Sequence, residues 1–454
     1  MNSNHVLIGN GRLPSEILSL LFEHYLDEES PFHPVETLLL VCKAWNRTAA
    51  HHWPIWATYR ITLGTRHITK LWLRRIPPRL KRSGSEHPLH IDIRYAEDPR
   101  CHNHSSEMSS PRLDVKENVP RLLETFAGKN GANCRRWKLL RLTIDSRETI
   151  PFGFPFIKSM KHSLDPLTYP MPLLTSLHLR LCAGSGATLF PSLPSVQSII
   201  LDNCCMPHYP DMSSAKEVHV LKGRFGEDTD PDPSFDAPRV EYLRLGSSVY
   251  DIVRPCQYPS LSTLCIDGHR WIMGLEKAYM PRLENLHIRF DTAQTVFGAH
   301  RLSNLNQIHE LHLFGRFFGG FATDEVHVAV SRLLDACTDL RILCIDSNVL
   351  SIFLLRWFAW KQLFEEHSTV QVFLVKSRGP MVAEEKPVSE ERQILVGDED
   401  AVSSLKLAME RPPVVVLRSS SPSGMVKRRR NKWRLTRLLK GFGRWCKRPV
   451  SRFY

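Results

Sequence analysis

The sequence lacks the patterns that mark most membrane-spanning and secreted proteins. It has no stretch of about 18 predominantly apolar residues, so we expect no membrane-spanning helix. Its first residues, MNSNHVLIGNGR, contain no apolar core of a signal peptide. The 11 cysteines are an odd number and include no Cys-x-x-Cys pair. We therefore expect an intracellular protein, cytoplasmic or nuclear, whose thiols are free.

Catalytic signatures are missing as well. The sequence contains no GxSxG, no glycine-rich phosphate loop followed by a lysine, and no HExxH. Cys101-His102-Asn103-His104 offers metal ligands but no second pair of them, which favours a solvated loop over a zinc site. We expect a protein that is not an enzyme and that holds no cofactor and no metal.

Positive charge is concentrated at one end of the chain. The protein has 60 Lys and Arg against 47 Asp and Glu, a formal net charge of +13. Residues 427–454 hold 12 of these cations and no acidic residue, which leaves 48 against 47 in the rest. The main body is therefore close to neutral, and the basicity belongs to a tail.

The N-terminal stretch 13–57 predicts a small helical domain. Pro14 suits the first position of a helix, and apolar residues follow it at three- and four-residue steps. A polar segment, 27–33, separates this helix from a second apolar run at 38–42. So short a unit buries little surface by itself, so we expect it to dock on another molecule.

Three pieces of this stretch resemble the F-box family. Leu13-Pro14-x-Glu16-Ile17-Leu18 is followed by Val41-Cys42-x-x-Trp45 and then by Trp56. RSGSEHPLHIDI at 82–93 is similar to a segment of the F-box-like proteins of mushroom-forming fungi. The alternative interpretation is an ordinary helix start followed by an ordinary core patch.

The resemblance implies a binding partner. F-box helices bind a Skp-type adaptor, which connects them to a cullin-based ubiquitin ligase. The residues expected to bind the adaptor or to support that surface are Leu13, Pro14, Ile17, Leu18, Val41, Cys42, Trp45 and Trp56. In such a complex the chain is the substrate receptor.

A repeated sequence pattern, the repeat word, runs from about residue 135 to residue 375, within a predicted solenoid domain of 58–375. Apolar residues recur at the third, sixth and eighth positions of copies that begin near residues 135, 172, 194, 213, 238, 259, 281, 306, 338 and 368. The word resembles the leucine-rich repeat, and Cys182, Cys204 and Asn348 occupy its Cys/Asn position. Each copy would supply one strand, and the stacked copies would form a curved solenoid. The predicted class is α/β with a parallel sheet, and the alternative is an ordinary α/β domain.

Polar side chains alternate with the apolar ones in these predicted strands. Alternation places them on the other, concave face of the sheet. The candidate substrate-binding residues are His178, Arg180, Asp202, His219, Arg244, Asp267, His287, Arg289 and His312. Four histidines share one repeat position, which raises a metal site as an alternative. Because they are not all on adjacent strands, we favour a polar recognition surface.

The remaining segments carry weaker signals. We expect a loose N-terminus over 1–12, a surface loop over 97–118, a helix starting at Thr323, a partly buried helix over 349–364 and disorder over 376–426. Residues 427–454 predict a basic amphipathic helix that binds an anionic membrane or nucleic acid, a nuclear-import signal, or simply a solvated basic tail. The leading hypothesis is a substrate-recognition subunit of a Skp–cullin–F-box ligase. The alternative is a repeat scaffold directed by its basic tail.

Overall fold

The computed structural model describes about half of the chain, in segments. The described residues are 14–27, 35–63, 66–96, 111–145, 164, 166–184, 189–206, 208–225, 237–246, 257–267, 275–290, 298–315, 323–346, 349 and 370–375. The following predicted features lie outside them: the N-terminus 1–12 and Leu13, all of the polar segment 27–33 except Asp27, the Cys101–His104 cluster, Asn348, the predicted helix after 349, the segment 376–426 and the basic tail.

Four short helices open the described chain. Helix α1 spans Ser15–Asp27, a 3-10 helix spans Val35–Leu40, α2 spans Lys43–His51 and α3 spans Trp53–Ala57. Helix α1 follows Pro14, whose carbonyl accepts the Leu18 amide at 3.0 Å. The second apolar run is not one helix, because the chain turns at Val41 and Cys42 before α2 begins.

The rest of the described chain is built on one 12-stranded sheet. Its strands are β1 Thr58–Leu63, β2 Leu89–Ala96, β3 Trp137–Asp145, β4 Ser176–Arg180, β5 Ser198–Met206, β6 Glu217–Phe225, β7 Tyr242–Leu245, β8 Thr263–Ile266, β9 Asn285–Phe290, β10 Glu310–Gly315, β11 Ile342–Asp346 and β12 Gln371–Val375. Every strand pairs in parallel with the next strand in the chain. The prediction of an α/β protein with a parallel sheet is confirmed.

The strand register aligns the apolar repeat positions in rows. The sixth repeat position forms a continuous row that includes Leu140, Leu177 and Ile199 in β3–β5. The eighth position forms a second row, with Leu142, Leu179 and Leu201. All of these side chains are buried in one hydrophobic core. Because side chains alternate along a strand, the residues between the rows lie on the opposite face.

Two repeat cysteines donate to backbone carbonyls, Cys182 just after β4 and Cys204 within β5. The Cys182 thiol donates to the Arg180 carbonyl at 3.3 Å, and the Cys204 thiol donates to the Leu179 carbonyl at 3.4 Å. Burial raises the pKa of both thiols well above the ordinary value. They act as neutral donors to backbone carbonyls within the core.

Helices pack against the core face near β1–β3, and another lies between β10 and β11. Helix α4 spans Arg66–Arg82, α5 spans Pro111–Ala127 and α6 spans Thr323–Ala336. Short 3-10 helices span Lys129–Gly131, Cys134–Arg136 and Leu305–Gln307. In the described part of the chain, no helix combines the length and apolar character needed to cross a membrane.

Helix α5 corrects the prediction of a surface loop over 97–118. Proline often interrupts a helix, but Pro111 stands at the first position of α5, where its missing N–H loses no hydrogen bond. The buried residues Val119, Leu122, Leu123 and Phe126 follow at helical spacing and pack into the core. The loop interpretation was therefore wrong from Pro111 onward.

Candidate functional site: an apolar surface and a polar sheet face

The N-terminal helices enclose a small core of their own. It contains the buried side chains of Leu18, Phe22, Leu26, Val35, Leu38, Ala49, Ile55 and Trp56. Trp56 is fully buried, and its indole Nε1 donates to the Ala49 carbonyl at 2.7 Å. The ring of Trp45 meets Phe22 edge-on, with centroids 5.3 Å apart. Trp45 therefore joins α2 to α1, and Trp56 joins α3 to α2.

The start of α2 is fixed by a cysteine cap. Cys42 has an extended backbone, and its Sγ accepts the Trp45 amide at 3.5 Å. The Asn46 side chain donates to the Leu39 carbonyl at 2.9 Å. These contacts satisfy backbone groups on both sides of the turn, and they hold Leu40 and Val41 at its outer corner.

Apolar side chains remain exposed on this unit. Ile17 is 43%, Leu20 62%, Leu40 83% and Val41 39% exposed. Ile17 and Leu20 are three residues apart on α1, so they share one side of the helix. Leu18 and Phe22 point the other way, into the core. The helices thus present large apolar side chains in addition to those their own core uses.

The expected adaptor-binding residues divide into a surface set and a supporting set. Pro14, Ile17, Val41 and Cys42 are exposed, and Trp45 is half-buried. Leu18 and Trp56 are buried and can support the surface only from below. Sequence reasoning missed Leu20 and Leu40, although the three-residue step from Ile17 and the position of Leu40 before the Cys42 cap were visible.

A buried arginine connects the helical unit to the sheet. Arg79, on α4, is fully buried, and its Nη2 donates to the Ile55 carbonyl at 2.9 Å and to the Thr58 carbonyl at 3.0 Å. Its guanidinium lies 4.8 Å above the Tyr59 ring and 5.7 Å from the Trp72 ring. The end of α3 and the start of β1 are therefore attached to α4 through one side chain.

A row of mostly polar side chains crosses the other face of the sheet. We call it the histidine row. From β2 to β11 it contains Asp92, Arg141, His178, Ile200, His219, Arg244, Cys265, His287, His312 and Cys344. It brings the four predicted histidines into one line, as the repeat position required.

Ion pairs lie beside the histidine row. Arg180 Nε is 3.2 Å from Asp202 Oδ2, and Arg244 Nη2 is 3.0 Å from Asp267 Oδ2. Arg289 approaches the same Asp267 at 3.9 Å. The predicted residues Arg180, Asp202, Arg244, Asp267 and Arg289 are thus brought together as cross-strand pairs on this face.

His178 occupies the most unusual position in the row. It is buried, and neither ring nitrogen has a hydrogen-bond partner within the described part of the chain. Burial, strengthened by the charges of Arg141 and Arg180, lowers the pKa of His178 to about 3. This histidine is therefore neutral at every physiological pH.

The row is tightly packed at its C-terminal end. The rings of His287 and His312 stack, with centroids 4.0 Å apart and planes 17° apart. Burial, with help from His312 and Arg244, holds the pKa of His287 well below its ordinary value. Glu310 Oε1 lies 2.5 Å from His312 Nε2. Cys344 is the register partner of His312 on the next strand.

Several residues on this face were not predicted. Asp92, Arg94 and Arg141 form a cluster on β2 and β3, in which Arg94 binds Asp92 through two hydrogen bonds. Glu217 accepts a 2.9 Å contact from His219. Asp92 and Arg94 lie on β2, before the first copy of the repeat, and Arg141 lies in the weak copy near 135, so only the strand register places them beside the others.

Comparisons with known proteins add little to this geometry. No family model and no curated protein matches the chain. A crystal structure of a protein from Bacteroides fragilis is similar to it with a TM-score of 0.23 and 12% sequence identity. The similarity covers 40% of this chain and 61% of that one, less than two thirds of the other protein's length. So weak a similarity supports no conclusion about fold or function.

Proposed function

We propose that this protein is the substrate-recognition subunit of a Skp–cullin–F-box ubiquitin ligase. Its N-terminal helices would bind a Skp-type adaptor, and its repeat sheet, a leucine-rich-repeat-like solenoid, would hold a protein substrate. In this proposal the chain performs no chemistry and works by raising the local concentration of the substrate near the ligase. We expect it to be located in the cytoplasm or the nucleus.

One observation carries the proposal: the helical unit exposes large apolar residues although it already has a complete core. Ile17, Leu20, Leu40 and Val41 come from the stretch whose sequence resembles the F-box. Scattered single apolar residues are normal on a surface, but several on so small a unit favour an interface. The resemblance identifies the partner, and the exposed residues supply the surface.

Hydrogen bonds support this surface from beneath. The Cys42 cap and the Asn46 side chain fix the corner that carries Leu40 and Val41. Arg79 attaches the unit to α4 and β1. A surface held in place before binding loses little conformational freedom when its partner arrives, which favours affinity.

The proposed substrate surface is the face of the sheet that bears the histidine row. Its buried members, His178, His219 and Arg244, shape the face. The more accessible side chains on this face of the sheet, among them Arg180, Arg289 and His312, can contact a partner. Side chains of mixed charge in ordered pairs favour recognition of a polar protein surface.

The test is a binding titration of the full-length chain with a purified Skp-type adaptor. Leu20→Asp and Leu40→Asp alter exposed positions, so they should leave the free energy of unfolding within about 0.5 kcal/mol of wild type. Burying one leucine contributes about 1.5–3 kcal/mol, and about 1.4 kcal/mol is tenfold in affinity. Each variant should therefore bind at least about tenfold more weakly.

Leu173→Asp is the matched control. Leu173 is 48% exposed but precedes β4 on the sheet, away from the helical unit in sequence. It should bind the adaptor like wild type. Equal loss of binding in all three variants would point to a nonspecific effect, and absence of binding by folded wild-type protein would exclude the receptor assignment.

A further inference from the structure

The C-terminal end of the histidine row contains three different metal-ligating groups. Glu310 and His312 are two residues apart on β10, so both side chains lie on the same face. Cys344 lies on β11, directly opposite His312 in the register. The carboxylate, imidazole and thiol atoms all lie within 4.8 Å of one another.

We propose that Glu310, His312 and Cys344 bind a single Zn²⁺ ion. Zinc accepts thiolate, imidazole and carboxylate ligands together in tetrahedral sites, with bonds of about 2.0–2.3 Å. Three protein ligands leave a fourth position for water. The side chains of Glu310 and His312 are mostly buried but keep 19% and 15% exposure, so water can reach the ligands.

The present contacts need only a small adjustment. Glu310 Oε1 and His312 Nε2 share a hydrogen bond of 2.5 Å, and they would move apart by about 1 Å to admit an ion between them. His312 then binds through Nε2 and carries its proton on Nδ1. Cys344 binds as the thiolate and releases its proton to solvent.

The surroundings hold these ligands in position. His287 stacks on the His312 ring and limits its rotation. Asp346, two residues after Cys344, accepts the Gly315 amide at 3.1 Å and the Val349 amide at 2.8 Å. These contacts fix the ends of β10 and β11, which keeps His312 and Cys344 side by side.

The donor set selects among metals. One thiol and one imidazole with a single carboxylate favour zinc over Mg²⁺ or Ca²⁺, which require mostly oxygen ligands. The sequence favours a polar recognition surface over a metal site because the four histidines are not all on adjacent strands. In the proposed site only one histidine is a ligand, and the other two ligands, Glu310 and Cys344, lie at positions where the repeat word specifies no residue type.

The test uses the full chain, stripped of metal with a chelator and titrated with Co²⁺ as a spectroscopic substitute for Zn²⁺. Wild type should take up one Co²⁺ with thiolate-to-cobalt absorption in the near ultraviolet. Zn²⁺ should displace it and should protect Cys344 from alkylation, as read by peptide mass spectrometry. His312→Gln and Glu310→Gln, which keep the thiol, should bind Co²⁺ at least about tenfold more weakly.

Cys265→Ser is the matched control. Cys265 is also a buried cysteine of the histidine row, but its thiol contacts the Tyr242 hydroxyl at 3.1 Å. This variant should retain the absorption, whereas Cys344→Ser should lose it. Folding of each variant is checked by circular dichroism. No absorption in wild type, or absorption that persists in Cys344→Ser, would overturn the proposal.

Discussion

His178 should make the protein sensitive to mild acid. The ring is buried on the sheet face, opposite Arg141 in the register and beside Ile200. Arg180, Arg94 and His219 also interact with it electrostatically, and each of these interactions disfavours its protonation. The folded protein therefore holds His178 neutral under conditions in which an exposed histidine becomes charged.

The magnitude follows from the two pKa values. In the unfolded chain a histidine has a pKa of about 6.5, whereas in the folded protein the pKa of His178 is about 3. Between these values the unfolded state binds more protons, so stability is complete above pH 6.5 and falls as the pH decreases toward 3. At pH 5 the loss is about 2 kcal/mol, from about 1.36 kcal/mol per pH unit.

The perturbation is His178→Leu, which removes the titrating group but keeps an aliphatic side chain like that of neighbouring Ile200. Urea unfolding of the full chain is measured at pH 7 and at pH 5, with tryptophan fluorescence as the signal. The variant should gain about 2 kcal/mol relative to wild type between the two pH values.

His208→Leu is the control, because His208 is exposed. Its difference from wild type should stay within about 0.5 kcal/mol at both pH values. If the difference between His178→Leu and wild type is the same at pH 7 and pH 5, then His178 protonates freely in the folded state. The account of a desolvated neutral histidine would then be incorrect.

Other predictions concern the helical unit, the thiols and the tail. Arg79→Met should destabilise the protein by about 2–4 kcal/mol, because two buried carbonyls lose their donor, whereas the exposed Lys81→Met should change little by urea unfolding. Iodoacetamide should modify exposed Cys42 in the native protein but reach Cys182 only after unfolding, as mass spectrometry would show. Deleting 427–454 should leave the adaptor affinity unchanged in a titration. These expectations would be contradicted by equal stabilities of Arg79→Met and Lys81→Met, by equal labelling of Cys42 and Cys182 in the native protein, or by weaker adaptor binding after deletion of the tail.

The sheet was predictable because its signal is local and repeated. Each copy of the repeat places apolar residues such as Leu177 and Leu179 two positions apart, and ten copies run in the same direction. A parallel sheet in chain order follows from stacking such units. Helix α5 is harder to predict because Pro111 and the polar residues around it favour a loop, although Leu122, Leu123 and Phe126 follow at helical spacing.

The remaining features depend on contacts between distant parts of the chain. Arg79 is buried by carbonyls 21 and 24 residues away, and composition gives no sign that this arginine differs from its neighbours. Glu310 and Cys344 meet only because the register sets β10 beside β11. The exposure of Leu40 depends on the turn at Cys42, which ends an apolar run that the sequence alone shows as continuous.

The most direct test of the central claim is hydrogen exchange of the full chain with and without a purified Skp-type adaptor. We predict a one-to-one complex in which backbone amides of α1, the 3-10 helix and the start of α2 become protected, most of all around Leu20 and Leu40. The amides of β4–β12 should exchange at unchanged rates. Protection confined to the sheet, or no complex with folded protein, would contradict the assignment of the N-terminal helices as the adaptor-binding surface.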